Sequence, residues 1–273
     1  MSQRTIIEMG GIACAITSSH RELGDLVNQR YHGFSSKKHP QFHIEVECLA
    51  SPQGCESPLE ILSGPVTPCF QGDCLHIHGE GFTADFDFLS GRGYIRQPLN
   101  LTPLDLLLKA VYGYSLFQKE SFFVHSCAIA RQGEGSLFFG PSGSGKSTIA
   151  RMAQDIVLAD ELVIVSKEQQ TMGSGHSTYS VQGTPFWGGV NFRVPLTKLF
   201  ALNFNRQESS VNAIAPVQAL RKLLSCIGYF TPSPRQQTDL FHLATSLVQG
   251  LPCQLLTFSP RPQFWSWLDA HNN

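Results

Sequence analysis

Charge is scarce in this chain. Only 15% of its 273 residues are Asp, Glu, Lys or Arg, and the formal net charge is −1. That balance provides no broad basic face to follow a phosphate backbone, so no nucleic-acid partner is expected. Long apolar runs are missing too. No segment approaches the roughly 20 apolar residues of a membrane span, so no membrane partner is expected either. The opening MSQRTIIEMGGIACAITSSH carries Glu8 and is too short and interrupted in its apolar run for a signal peptide. The eight cysteines, Cys14, Cys48, Cys55, Cys69, Cys74, Cys127, Cys226 and Cys253, include no C-x-x-C pair. Reduced, partly buried thiols and a cytoplasmic location follow, rather than a disulfide framework. Cys74, His76 and His78 alternate and would share one face of a strand, but no second cluster completes a metal site.

What is present is enough apolar material, 42% of residues, for one large or two smaller cores. Residues 1–98 read as a β-rich first domain. HIEVECLA (43–50) alternates, SPQGCESPLEILSGP is dense in turn formers, and 74–99 is a glycine-punctuated meander. Residues 99–273 change character. Thr102 is a fitting N-cap and Pro103 a fitting first helical residue, and Leu106, Leu107, Ala110, Val111 and Tyr114 recur at helical spacing. FFVHSCAIA (122–130) and SLFF (136–139) then give two β-type runs around a tight connection. Further strands are expected at IVLAD (156–160), ELVIVS and near QLLTFS, with helices over 216–228, 236–248 and PQFWSWLDA. The alternation makes this half α/β.

FFGPSGSGKSTIA (138–150) carries the chemistry. Gly140, Gly145, Lys146 and Ser147 satisfy G-x-x-x-x-G-K-[ST] between a strand and a helix. Gly140, Pro141, Ser142, Gly143, Ser144, Gly145, Lys146, Ser147 and Thr148 would form the cradle for the phosphates of a nucleotide, all but Pro141 carrying a backbone N–H. Lys146 would sit between the terminal phosphates, and Ser147 would offer its hydroxyl to Mg²⁺. Asp160 follows Lys146 by only fourteen residues, so the next strand must return at once beside the loop. Asp160 and Glu161 are consecutive, so their side chains diverge on an extended chain. An aspartate there either accepts a hydroxyl proton or orients metal-bound water. His125 lies one hairpin before the loop, where a structural role competes with a functional one.

VHSCAIARQGEGSLFFGPSGSGKSTIARMAQDIVLADELVIV (124–165) resembles the catalytic core of HPr kinase/phosphorylase and of ATP-dependent phosphoenolpyruvate carboxykinases. Both have a histidine strand, the loop and a nearby acidic pair, in that order. GTPFWGG (183–189), PLTKLFALN (195–203) and LLTFSPRPQFWSWL (255–268) look like the HPr-kinase-related proteins found with peptide-modification genes, some of which phosphorylate a serine of a ribosomally made precursor such as a lasso peptide. The resemblance implies an α/β (α+β) fold, a P-loop core of the HPr kinase/phosphoenolpyruvate carboxykinase type with a β-rich N-terminal part.

It also implies an enzyme using ATP and Mg²⁺, with Asp160, His125 and Lys146 catalytic. Asp160 would be the base, and His125 would lie near the γ-phosphate. Ser147 and Glu161 would serve the metal, Glu161 standing where the family has a second aspartate. The acceptor would be a serine of a peptide or small protein, with a small metabolite hydroxyl kinase or a nucleotide-sensing module as alternatives. SVQG (180–183) lacks the acid and arginine of the family's glutamate–x–arginine–glycine signature, so phosphorolysis and HPr itself as substrate are not expected. Arg193 is the candidate cation for the transferred group. Phe186 and Trp187 are candidates for a wall of the acceptor site or for core packing. No oligomeric state is legible.

Overall fold

The structure is a computed structural model that describes residues 2–49, 66, 68–168, 178–204, 209–228 and 234–271. Cys55 and the whole turn-rich stretch SPQGCESPLEILSGP (51–65) lie outside these residues. The fold is mixed α/β, with 30% helix and 42% strand. The chain divides into two compact units, residues 1–115 and 116–273.

The first unit is built on a seven-stranded sheet. Its strands are β1 (Gln3–Met9), β2 (Ile12–Ser18), β3 (Phe42–Cys48), β4 (Cys69–Gln71), β5 (Cys74–Gly79), β6 (Phe82–Asp87) and β7 (Arg92–Gln97), in the order β1-β2-β3-β7-β6-β5-β4. The expected meander is β5–β6–β7, paired antiparallel. The first twenty residues form the β1–β2 hairpin. β2 crosses to a parallel β3 through helix α1 (Arg21–Tyr31). Leu23, Val27 and Tyr31, four residues apart, bury one face of that helix.

Helix α2 (Thr102–Phe117) forms where Pro103 and the helical spacing from Leu106 to Tyr114 place it. Up to Ser115 it belongs to the first unit, so the division falls later than the 98/99 boundary the composition suggests. Its contacts give the reason. Asp105 accepts from Arg30 at 2.9 Å and from the Tyr31 hydroxyl at 2.5 Å, and the Tyr112 hydroxyl donates to the Ile12 carbonyl at 3.2 Å.

The second unit contains β8 (Ser121–Val124), β9 (Ser126–Arg131), β10 (Glu134–Phe139), α3 (Lys146–Met152), β11 (Ile156–Ala159), β12 (Val163–Glu168), β13 (Thr178–Gly183) and β14 (Arg193–Phe204). These are followed by β15 (Ser210–Ala213), α4 (Pro216–Leu224), α5 (Pro234–Gly250), β16 (Cys253–Phe258) and α6 (Phe264–His271). The twelve-residue β14 joins two pairing regions. Its first residues run antiparallel to β13, and the remainder lies parallel to both β10 and β16.

Strands β9, β10 and β14 are apolar on both faces, as sheet strands covered on both sides must be. Ala128, Leu137, Phe139, Leu199 and Ala201 pack with Leu223 of α4 and Leu243, Ala244 and Leu247 of α5. Cys127, Ile129, Phe138, Phe200 and Leu202 face Ile149 of α3 and Phe264 and Leu268 of α6. FWSWL thus supplies core: Trp265 lies edge-on to Phe138 and donates its indole N–H to the Met152 carbonyl at 2.8 Å.

FFVHSCAIA is two strands rather than one. β8 pairs with β12, β9 pairs with β10 and β11, and the chain changes partner at His125. There the His125 N–H leaves the ladder and donates to the Cys226 carbonyl at 2.6 Å. Among the described residues, no helix is long and apolar enough to cross a membrane. The described cysteines are all free thiols.

Candidate functional site

The turn between β10 and α3 is the loop from Gly140 to Gly145. Gly143 and Gly145 adopt φ values of 76° and 98°, a region that residues with a Cβ avoid. At Gly140 an added Cβ would lie 2.9 Å from Ser144 Oγ and 3.2 Å from Leu202 Cβ, so the loop closes tightly over its own start. The N–H groups of Gly143, Gly145, Lys146 and Ser147 find no acceptor among the described residues. Ser144 Oγ is likewise buried without a partner. Lys146 is 6% exposed, and its ammonium folds back to donate to the carbonyls of Gly140 (2.9 Å) and Pro141 (3.2 Å). The Gly140 carbonyl also accepts from the Cys226 thiol at 3.4 Å.

One cavity of about 230 Å³ is lined by Ser142, Gly143, Gly145, Lys146, Ser147 and Thr148 together with His125 and Glu161. The break between β8 and β9 delivers His125, and the turn after β11 delivers Glu161. These two segments are tied there by the Ser126 N–H donating to the Glu161 carbonyl at 3.1 Å. His125 Nδ1 lies 3.3 Å from Glu161 Oε2. Asp160 is half buried and is not among the lining residues. Its charge reaches the Cys127 thiol, which also feels Lys146. Burial is the main cause that pushes that thiol far up, with Asp160 adding to it.

Partial burial and then the Lys146 charge hold the His125 imidazole below its ordinary 6.5, against an upward pull from Glu161. Two substitutions test this arrangement without any assay of activity. The His125 ring resonance should titrate with a midpoint below 6.5. Lys146→Met should move that midpoint up and Glu161→Gln should move it down, read by NMR. Because the folded value is depressed, the unfolded chain holds this proton more tightly. Acidification from 6.5 towards the folded midpoint therefore lowers stability.

Residues 183–192 bracket the acidic pair. The Thr184 hydroxyl donates to the Leu162 carbonyl (2.8 Å), and the Val190 N–H donates to the Leu158 carbonyl (2.8 Å). An added Cβ at Gly183 would lie 2.2 Å from the Leu158 carbonyl oxygen and 2.3 Å from that of Val190. Both are backbone atoms that cannot swing aside. Gly183→Ala should therefore cost about 1–3 kcal/mol in denaturant unfolding. GTPFWGG offers its glycines as the signal for this close approach, but their partner strand is not legible from the residues.

Phe186 is fully buried against Phe123, ring centroids 6.4 Å apart, whereas Trp187 is 53% exposed. Arg193 is turned elsewhere. Its Nε donates to Ser180 Oγ at 2.7 Å and its terminal nitrogen to Glu168, so it is engaged across β12–β14 and is not a cation of this cavity.

Ser147 and Glu161 are the residues that could hold a metal here. Among the described residues, no group of three or more His, Cys, Asp or Glu is arranged to hold one unaided. A hydroxyl and a carboxylate fit Mg²⁺, which keeps waters and takes phosphate oxygens for its remaining positions. A scan of the chain against protein-family models and a search of curated proteins return no match.

Proposed function

We propose that this chain is an ATP- and Mg²⁺-dependent kinase with a nucleotide core of the HPr kinase/phosphoenolpyruvate carboxykinase type. It would pass the γ-phosphate to a hydroxyl, above all a serine of a peptide or small protein. The observation that carries the reading is the single cavity in which the glycine-rich loop, Lys146, Ser147 and Thr148 meet His125 and Glu161. Four N–H groups with no acceptor among the described residues suit phosphate oxygens, and a loop that runs into Lys146 provides the cation beside them. Mg²⁺, when bound, neutralises phosphate charge and draws the oxygens into line.

In this reading the acceptor oxygen attacks the γ-phosphorus while the bond to the bridging oxygen breaks, and its electron pair leaves with ADP. Asp160 takes the hydroxyl proton. Lys146 exchanges its hold on the Gly140 and Pro141 carbonyls for the migrating phosphoryl group. His125 stays neutral near pH 7, because it is held below 6.5, and contacts Glu161 rather than adding a second positive charge. Catalysis is then mostly positioning plus charge neutralisation.

The test is incubation with γ-labelled ATP, Mg²⁺ and the small peptides encoded beside the gene, read by intact mass, with nucleotide binding followed separately by a fluorescent ATP analogue. A gain of one phosphate on a peptide supports the reading. Binding without any gain removes the peptide acceptor, leaving a metabolite or a sensing role. No binding at all removes the nucleotide site.

A further inference from the structure

We propose that Cys226 is a positioning residue for nucleotide binding. Its thiol keeps the Gly140 carbonyl hydrogen-bonded when the Lys146 ammonium leaves that carbonyl for a phosphate. This rests on the nucleotide-binding part of the kinase reading above.

Lys146 holds two carbonyls that it must release to reach a phosphate, and the two differ in what remains to them. Pro141 is exposed, and its carbonyl also accepts from the Ser144 N–H at 3.1 Å. Gly140 is buried. Among the described residues, its carbonyl has one donor besides Lys146, the Cys226 thiol at 3.4 Å. A buried acceptor left without a donor costs free energy, and without the thiol that cost would fall on nucleotide binding. A thiol is a weak donor, but it is the one in place.

The hydrogen of the thiol is available for this task. Cys226 Sγ also lies 3.4 Å from the Lys222 carbonyl, but that carbonyl already accepts from the Ser225 hydroxyl at 2.7 Å. Backbone bonds fix where the thiol stands. The Cys226 N–H donates to the Leu223 carbonyl at 2.8 Å, and the Cys226 carbonyl accepts from the His125 N–H at 2.6 Å. Ile227, the next residue, bridges to Val124. Water has little access to take over as donor, because Cys226 is 4% exposed. The turn after α4 is thereby fastened to the strand break that presents His125, and from there its side chain reaches the first carbonyl of the phosphate loop.

Binding of a fluorescent ATP analogue with Mg²⁺ to the full chain tests the role. Cys226→Ala should weaken affinity about tenfold, the scale of one buried acceptor left unsatisfied. Cys226→Ser should restore most of it, because a hydroxyl donates from the same place. In a Lys146→Met background no ammonium has to leave Gly140, so there Cys226→Ala should leave affinity unchanged. A thiol that only packs would lower the melting temperature and spare affinity, or weaken affinity equally in both backgrounds. Either result, or a Cys226→Ser variant as weak as Cys226→Ala, overturns the role and leaves the kinase reading standing. If Cys226→Ala does not fold, the infrared S–H stretch of the wild type serves, assigned by its loss in Cys226→Ser. That band should shift to lower frequency when the analogue binds and the hydrogen is given to Gly140 alone, and a band that stays in place overturns the role. No binding by the wild type removes the nucleotide site, and this role with it.

Discussion

Lys146→Met is expected to lower phosphoryl transfer by roughly 10²–10³-fold, the scale of losing one preorganised charge-stabilising group, while the protein stays folded. The methionine keeps the buried stem and removes only the ammonium. What the fold loses is two charge-assisted bonds, to the Gly140 and Pro141 carbonyls. Such bonds contribute about 1.5–3 kcal/mol each, but removing a buried cation relieves its desolvation, so the net stability change is small. The Gly140 carbonyl keeps the Cys226 thiol as a donor. A thermal melt close to wild type, together with the loss of labelled-phosphate transfer, is the expected pair of results. Unchanged transfer would mean that phosphate does not move in this cavity.

Much of the second unit was legible because its signals are local. The glycine-rich loop, the short return to Asp160, the helices α5 and α6 and the strand β16 lie where composition and period place them. Helix α4 starts at Pro216 as expected but ends at Leu224, because Ile227 bridges to Val124 instead of continuing the helix to 228. What was not legible depends on partners distant in sequence. One apolar run, 122–130, reads as one strand. It divides at His125 because Cys226, about a hundred residues later, supplies the acceptor for the His125 N–H.

β14 did not stand out in the sequence as a strand, and Pro195 removes a ladder donor within it. There it pairs with Ser180 near the start of a strand that continues for nine more residues. In the first unit, α1 escaped notice although Leu23, Val27 and Tyr31 carry its period, because Gly24 interrupts it and polar residues fill most of the remaining positions. At the site, the sequence supplied each residue that lines the cavity but not which member of the acidic pair turns inward. Period-2 alternation says that the two diverge and cannot say which way.

That divergence makes Asp160 and Glu161 separable by experiment. Asp160→Asn should lower transfer by about 10²–10⁴-fold, the usual contribution of a general base, and leave nucleotide affinity near wild type, since the residue does not line the phosphate cavity. Glu161→Gln should act through Mg²⁺. Its carboxylate is in the cavity beside His125, so the Mg²⁺ concentration for half-maximal rate should rise roughly tenfold or more. Saturating Mg²⁺ should then recover much of the lost rate, because the proton acceptor remains. A steady-state titration of Mg²⁺ against kcat for both variants decides the matter. If Glu161→Gln loses kcat at every Mg²⁺ concentration while Asp160→Asn turns over normally, the carboxylate that faces His125 is itself the base. Asp160 then does no more than fix the turn that presents it.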